Sequence, residues 1–203
     1  MKLYHTPTSP FVRKVMVVAH EVGLASRIET TFLRPVPTKA DAALSRENPL
    51  SKIPVLVTDE GEPLYDSAVI CEYLDTFHTG RRLIPAAGHE RWRTLRLQAL
   101  CDGVLEAAVS VFYERTMRPE ALHWQAWMDG QTEKAMQGLE ALEREVDGFT
   151  HEVDLGQICA GVTFGWLDFR KVLGDVRATR PRLAAWYDRF GARASMKATE
   201  PHT

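Results

Sequence analysis

Apolar positions along the chain keep two different spacings, and the change from one to the other falls near residue 80. "KLYH" at residues 2–5 is short and strand-like. From Pro10 the apolar residues Phe11, Val12, Val15, Met16, Ala19 and Val22 fall on one helical stripe, with Arg13, Lys14, His20 and Glu21 opposite and Gly23 ending the run. "RIETTFL" alternates and carries β-branched and aromatic residues, so it predicts a strand. "TKADAALSRE" predicts a short polar helix closed by "NP". "PVLVTDEGEPLY" predicts two strands around an Asp59–Gly61 turn, and a last helix carries Val69, Ile70, Tyr73, Leu74 and Phe77. The order is β-α-β-α-β-β-α, an α/β domain whose final hairpin makes part of the sheet antiparallel.

Beyond that point the strand pattern stops. "TGRRLIPAAGH" holds Gly80, Pro85 and Gly88 and predicts a linker. A helix runs from Glu90 to about Arg118, where Pro119 interrupts it, and a second reaches about Val146. "DLGQICAGVTFGWLDFRKVL" is apolar nearly all round, as a buried central helix is. "PRLAAWYDRFGARA" predicts a fourth helix with Pro181 in its first turn, and the polar tail "MKATEPHT" predicts loose order. The domains expected are therefore residues 1–79, a linker at 80–89, and an all-helical domain over 90–203.

Composition narrows the function classes. A net charge of −2 with a pI near 6.4 argues against a nucleic-acid surface that depends on bulk charge. The arginines at 81, 82, 91, 93 and 96 stand beside Glu90 and Asp102 and read as a solvated face. "MKLYHTPTSP" meets prolines before any apolar stretch, so no secretory leader is expected, and no window reaches the ~20 apolar residues of a membrane span. Cys71, Cys101 and Cys159 are scattered and make no metal-ligand spacing, and His5, His20 and His123 make none either. Free cysteines fit a reducing compartment, so the expected location is the cytoplasm and no metal is expected.

Three short stretches could carry chemistry. Ser9 before Pro10 is a strong helix-start signal, because the proline has no N–H to leave unsatisfied. The same helix start offers free N–H groups and a positive dipole end, which would stabilise a thiolate. Pro54 in "SKIPVLV" is an ordinary residue at the start of a strand, or, if the Ile53–Pro54 bond is cis, it turns the Ile53 backbone outward to grip a peptide-like ligand. Asp66 and Ser67 are ordinary capping residues that could equally hold an amino-acid head group.

Taken together, S-P-F at 9–11, K-I-P-V-L at 52–56 and D-S at 66–67, in that order on that topology, resemble the glutathione transferase family. The likeness covers essentially the whole chain and implies a thioredoxin-like N-terminal domain followed by an all-α C-terminal domain. It implies that Ser9 donates a hydrogen bond to the glutathione sulfur and that Ile53, before a cis Pro54, pairs with the cysteinyl part. Asp66 and Ser67 would bind the γ-glutamyl head, Lys52 the glycyl carboxylate, and Asp102 the glutathione of a partner subunit. Phe112, Tyr113, Arg118 and Trp166 are candidates to surround a hydrophobic electrophile, or else pack as core and dimer contacts. The expected protein is a cytoplasmic, homodimeric detoxification enzyme that uses glutathione as co-substrate against an electrophile or hydroperoxide, with no nucleic-acid or membrane partner. The alternatives are a non-catalytic interaction module on the same fold and a specialised glutathione-dependent lyase or dehalogenase. Positions 6, 8 and 9 hold no cysteine, which argues against thiol–disulfide exchange, and the zeta-like isomerase signature is absent. Where the family commonly starts its core helix with [S/T]-x-x-D, this chain has Asp154-Leu155-Gly156-Gln157, which predicts a cap of equal capacity.

Overall fold

A computed structural model describes residues 1–202. The chain forms two compact units, the first built from Met1–Ala86 together with the segment from Ala194 onward, the second from Ala87–Arg193. The division falls inside the expected linker, but the last residues do not stay with the helical segment that precedes them.

The first unit has the expected order: β1 (Lys2–His5), α1 (Pro10–Glu21), β2 (Glu29–Phe32), α2 (Leu44–Glu47), β3 (Val55–Val57), β4 (Pro63–Leu64) and α3 (Ser67–Leu74). The strands lie in the order β2-β1-β3-β4, with β1 parallel to β2 and antiparallel to β3, and β4 antiparallel to β3. Leu3 faces Leu56 across the central pair and both are fully buried, so the apolar face of the sheet fixes the register. α2 is shorter than expected. The Asp41 carboxylate accepts the N–H groups of Ala43 and Leu44, both at 2.9 Å, while the Asp41 N–H is taken by Ser51 Oγ. That local bonding holds the preceding residues out of the helix. α3 stops at Leu74, before the expected Phe77, where Asp75 is buried and accepts the N–H groups of Leu83 and Ile84 at 2.8 and 3.1 Å. The buried carboxylate thereby shapes the start of the linker.

The second unit contains α4 (Gly88–Met117), α5 (Gln125–Glu145), α6 (Leu155–Arg170), α7 (Val176–Thr179) and α8 (Pro181–Phe190). α6 is buried continuously from Leu155 to Leu167, as its apolar sequence requires. Asp154 caps it, accepting the Gln157 N–H at 2.8 Å, while the Gln157 side chain donates to the Thr150 carbonyl. α4 packs against both α5 and α6. Gly138 of α5 lies close against α4, where a Cβ would run into Val104 Cγ2. At the end of α6, Asp168 receives Lys171 Nζ at 2.6 Å and Arg177 Nε at 2.7 Å, and Arg177 also reaches Asp188. Burial of the Asp168 carboxyl works against its charge, but these two cations outweigh it and hold its pKa below the usual aspartate value.

The start of the tail is ordered rather than loose, and Thr203 lies outside the described residues. α9 (Ala194–Lys197) packs on α1, with Met196 fully buried. Arg13 Nη2 donates to the Met196 carbonyl at 3.1 Å, and Ser195 Oγ donates to Glu21 Oε1 at 2.5 Å. Among the described residues no helix is long and apolar enough to cross a membrane.

Gly138→Ala should lower unfolding stability by about 1–3 kcal/mol through overpacking, and Val104→Ala in that background should recover part of the loss in a denaturant double-mutant cycle. The depressed Asp168 pKa adds stability that is present above the unfolded aspartate pKa of about 3.9 and is lost as pH falls through the folded value. Acid titration of Asp168→Asn should therefore show a lower stability at neutral pH and a shallower loss below about pH 4 than the wild type.

Candidate active site

The sheet register gathers the three candidate stretches at one edge. Tyr4, near the end of β1, faces Val55 at the start of β3. Leu64, at the end of β4, faces Leu56, so the chain enters α3 from that same edge. The loop after β1 leading to Ser9, the start of β3 at Pro54, and the start of α3 at Asp66 are thus neighbours in the first unit. Both α1 and α3 begin here and pack on one another, so two positive helix ends are presented together.

Ser9 is half-buried and caps α1 from extended backbone (φ −79°, ψ 123°). Its Oγ accepts the Val12 N–H at 3.3 Å, and its own N–H donates to the Thr6 carbonyl. Accepting one hydrogen bond uses a lone pair and leaves the hydroxyl proton to donate to another acceptor. Cap and donor are therefore compatible roles of one hydroxyl.

The Ile53–Pro54 bond is cis. Because Pro54 lacks an N–H, the ladder with β1 starts at Val55, and Ile53 lies beyond it. The approach to Ile53 is organised by Asn48, which is 2% exposed: its Nδ2 donates to the Lys52 carbonyl at 2.9 Å, its Oδ1 accepts the Leu50 N–H, and its own carbonyl accepts the Ser51 N–H. Ser51 takes a positive φ of 51°, which tightens this turn. The Lys52 side chain is exposed. Sequence reading saw Asn48 only as part of a helix-closing "NP" pair and missed its part in holding the loop.

The Tyr65–Asp66 bond is also cis, and Asp66 Oδ1 accepts the Ala68 N–H at 3.0 Å as the cap of α3. Asp66 is exposed, whereas Ser67 is 2% exposed, so the carboxylate is the more accessible of the pair.

The other candidates belong to the second unit. Asp102 is half-buried in α4. Phe112 and Tyr113 of α4 have ring centroids 5.9 Å apart, and Trp166 of α6 stands edge-on to Phe112 at 6.3 Å. The Arg170 guanidinium lies over the Phe112 and Phe169 rings at 4.8 and 4.9 Å. Arg170 was not among the sequence candidates, because a cation in a helix's last turn reads as ordinary. Arg118 is bound elsewhere than on these rings: its Nε donates to Glu114 Oε2 at 2.8 Å, and Glu114 also accepts the Trp124 N–H. Those two bonds hold the Glu114 carboxyl below its ordinary pKa and fix the connection between α4 and α5.

Comparison with known proteins identifies the family of the chain. The glutathione S-transferase N-terminal domain model matches residues 8–76, and the C-terminal domain model matches residues 125–189. The GST-like protein YibF of Escherichia coli (strain K12) is 35% identical over 99% of this chain and 98% of its own length. A glutathione transferase family member from Pseudomonas fluorescens Pf-5, solved with bound glutathione, is 44% identical, superposes with a TM-score of 0.96, and is covered over 100% of this chain and 99% of its own. A second structure from that organism, with bound S-(propanoic acid)-glutathione, is 42% identical with a TM-score of 0.91 and full coverage of both chains. By its sheet order, its two matched domains and its likeness over full length, this chain belongs to the glutathione S-transferase family.

Proposed function

We propose that the protein is a glutathione transferase that binds glutathione at the edge shared by Ser9, Pro54 and Asp66 and uses the Ser9 hydroxyl to stabilise its thiolate. The observation that carries this reading is the convergence at one edge of a capping hydroxyl, an unladdered backbone and a capping carboxylate. These are complements to a thiol, a peptide unit and an α-amino acid head in turn. Glutathione presents all three in that sequence.

The chemistry follows from the parts. The glutathione S–H proton leaves to solvent, the Ser9 O–H donates to the sulfur, and the N-terminal end of α1 lowers the energy of the negative charge. A thiol shifted from a pKa of about 8.5 to below about 7 is mostly ionised at neutral pH. The thiolate forms a bond to an electrophilic carbon, and a leaving group departs or a double bond takes a proton. The thioether held by the Pseudomonas relative, S-(propanoic acid)-glutathione, supports this outcome over hydroperoxide reduction. Ile53 would align the cysteinyl backbone, Asp66 the glutamyl ammonium with the Ser67 N–H beside it, and Lys52 the glycyl carboxylate. Phe112, Tyr113 and Trp166 form the aromatic set proposed to take the electrophile. Arg118, held by Glu114, is proposed to order the α4–α5 connection instead of polarising that substrate. We assign the protein to a cytoplasmic homodimer in which Asp102 serves the partner's glutathione, with detoxification as its role.

Ser9→Ala should leave glutathione binding within a few-fold by calorimetry. It should lower turnover of a generic aryl halide by about 10–100-fold, the worth of one hydrogen bond to a charged group. Unchanged turnover would remove the role of Ser9, and no binding at millimolar glutathione would remove the enzyme reading altogether.

A further inference from the structure

Arg13 is 5% exposed, and its Nη2 donates to the Met196 carbonyl. Its Nε and Nη1 have no hydrogen-bond partner among the described residues. A guanidinium in this state is costly, because a buried cation stabilises a fold only when its charge and donors are matched. A methionine or leucine would fill the same space without that penalty. The fold thus carries a charge that its own packing does not require.

Position along α1 suggests what the charge is for. Arg13 is four residues after Ser9 and therefore on the same helical face, with its N–H donated to the Ser9 carbonyl at 3.0 Å. Side chains on a helix lean toward its N-terminus, which is the end that Ser9 caps. The charge has the same sign as the dipole end there and adds to it. The α9 segment closes over Arg13 through Met196, which keeps water and salt from screening it.

Other charges near α1 do not cancel this one. Glu72 of α3, Lys197 of α9 and Arg27 of the turn at Ala25–Arg27 are exposed and screened by solvent. Asp66, the cap of α3, is also exposed, and Glu21 is bonded by Ser195. Lys14, buried with its Nζ 5.9 Å from the Phe11 ring centroid, has the same sign as Arg13. Burial raises the pKa of Tyr73 in α3, so it stays neutral in the physiological range. His20 is exposed, and His5 at the end of β1 is held toward its neutral form by burial and by His202.

We infer that Arg13 is a positioning residue for the thiolate: a buried, sealed cation one turn behind Ser9 that lowers the pKa of the bound glutathione thiol through the helix. This rests on the glutathione reading of the Ser9 edge. It assigns a source for thiolate stabilisation beyond the serine hydroxyl, and it gives the α9 segment a function, since that segment seals the charge.

The test is an ultraviolet thiolate titration of the glutathione complex in wild type, Arg13→Met and Arg13→Lys, with calorimetry on S-methylglutathione, which has no thiol to ionise. Arg13→Met should raise the bound thiol pKa by about one unit, while S-methylglutathione affinity stays within about twofold of wild type. Arg13→Lys should keep the wild-type value. Melting temperature should be equal or higher in Arg13→Met, since an unmatched buried charge has been removed. Arg13→Gln reads the same pKa if the methionine variant does not fold. A thiol pKa equal to wild type in folded Arg13→Met or Arg13→Gln overturns the proposal and leaves the Ser9 reading intact. Failure of the wild-type protein to bind glutathione overturns both.

Discussion

The pairing of β1 with β3 is the constraint on which the first unit depends. β1 sits inside the sheet, parallel to one neighbour and antiparallel to the other. That mixed pairing sends the end of β1 and the start of β3 to one edge, and the short β3–β4 hairpin returns the chain there for α3. Because Leu3 and Leu56 are both sealed in the core, slipping β3 by one residue against β1 would turn Leu56 out of it. The site is therefore protected by the same packing that stabilises the sheet. Nothing in the loops themselves has to specify that the three stretches meet.

Helix capping supplies the polar groups at that edge. Ser9 and Asp66 are both caps, each accepting an N–H of its own first turn. Capping holds the side chain in one place, and a hydroxyl or carboxylate so held has spare hydrogen-bonding capacity facing outward. The energetic reason for each residue and the chemical use proposed for it coincide. Asp154 shows the contrast, since it also caps α6 but is buried, with Thr94, Gln157 and Arg93 against its carboxylate.

Features set by local sequence were legible before the structure. The α1 stripe, the proline-started helices, the Asp59–Gly61 turn and the continuously apolar α6 all follow from spacing and from residues with special backbone preferences. The motif set at Ser9, Ile53–Pro54 and Asp66–Ser67 carried a resemblance to the family by its order along the chain, and the family is the one the chain belongs to. What sequence could not show is which partner each polar side chain takes, whether a few residues away or far along the chain. Ser51 binding Asp41 shortens α2, Asn48 braces the loop before Pro54, and Glu114 takes Arg118 away from the aromatic set. The tail looked loose because its anchor, the Arg13–Met196 bond, spans almost the full length of the chain.

That return of the tail makes the second unit an insertion within the first. The described residues before 87 and from 194 belong to the first unit, and residues 87–193 intervene between its two parts. During synthesis the sheet, α1 and α3 emerge first, yet Arg13 has no acceptor at Met196 and α1 has no α9 beside it until residues 194–197 have followed the whole second unit. The order of emergence therefore differs from the order of completion. A chain released before Ala194 would contain every residue proposed to touch glutathione and still lack the cover over the base of α1.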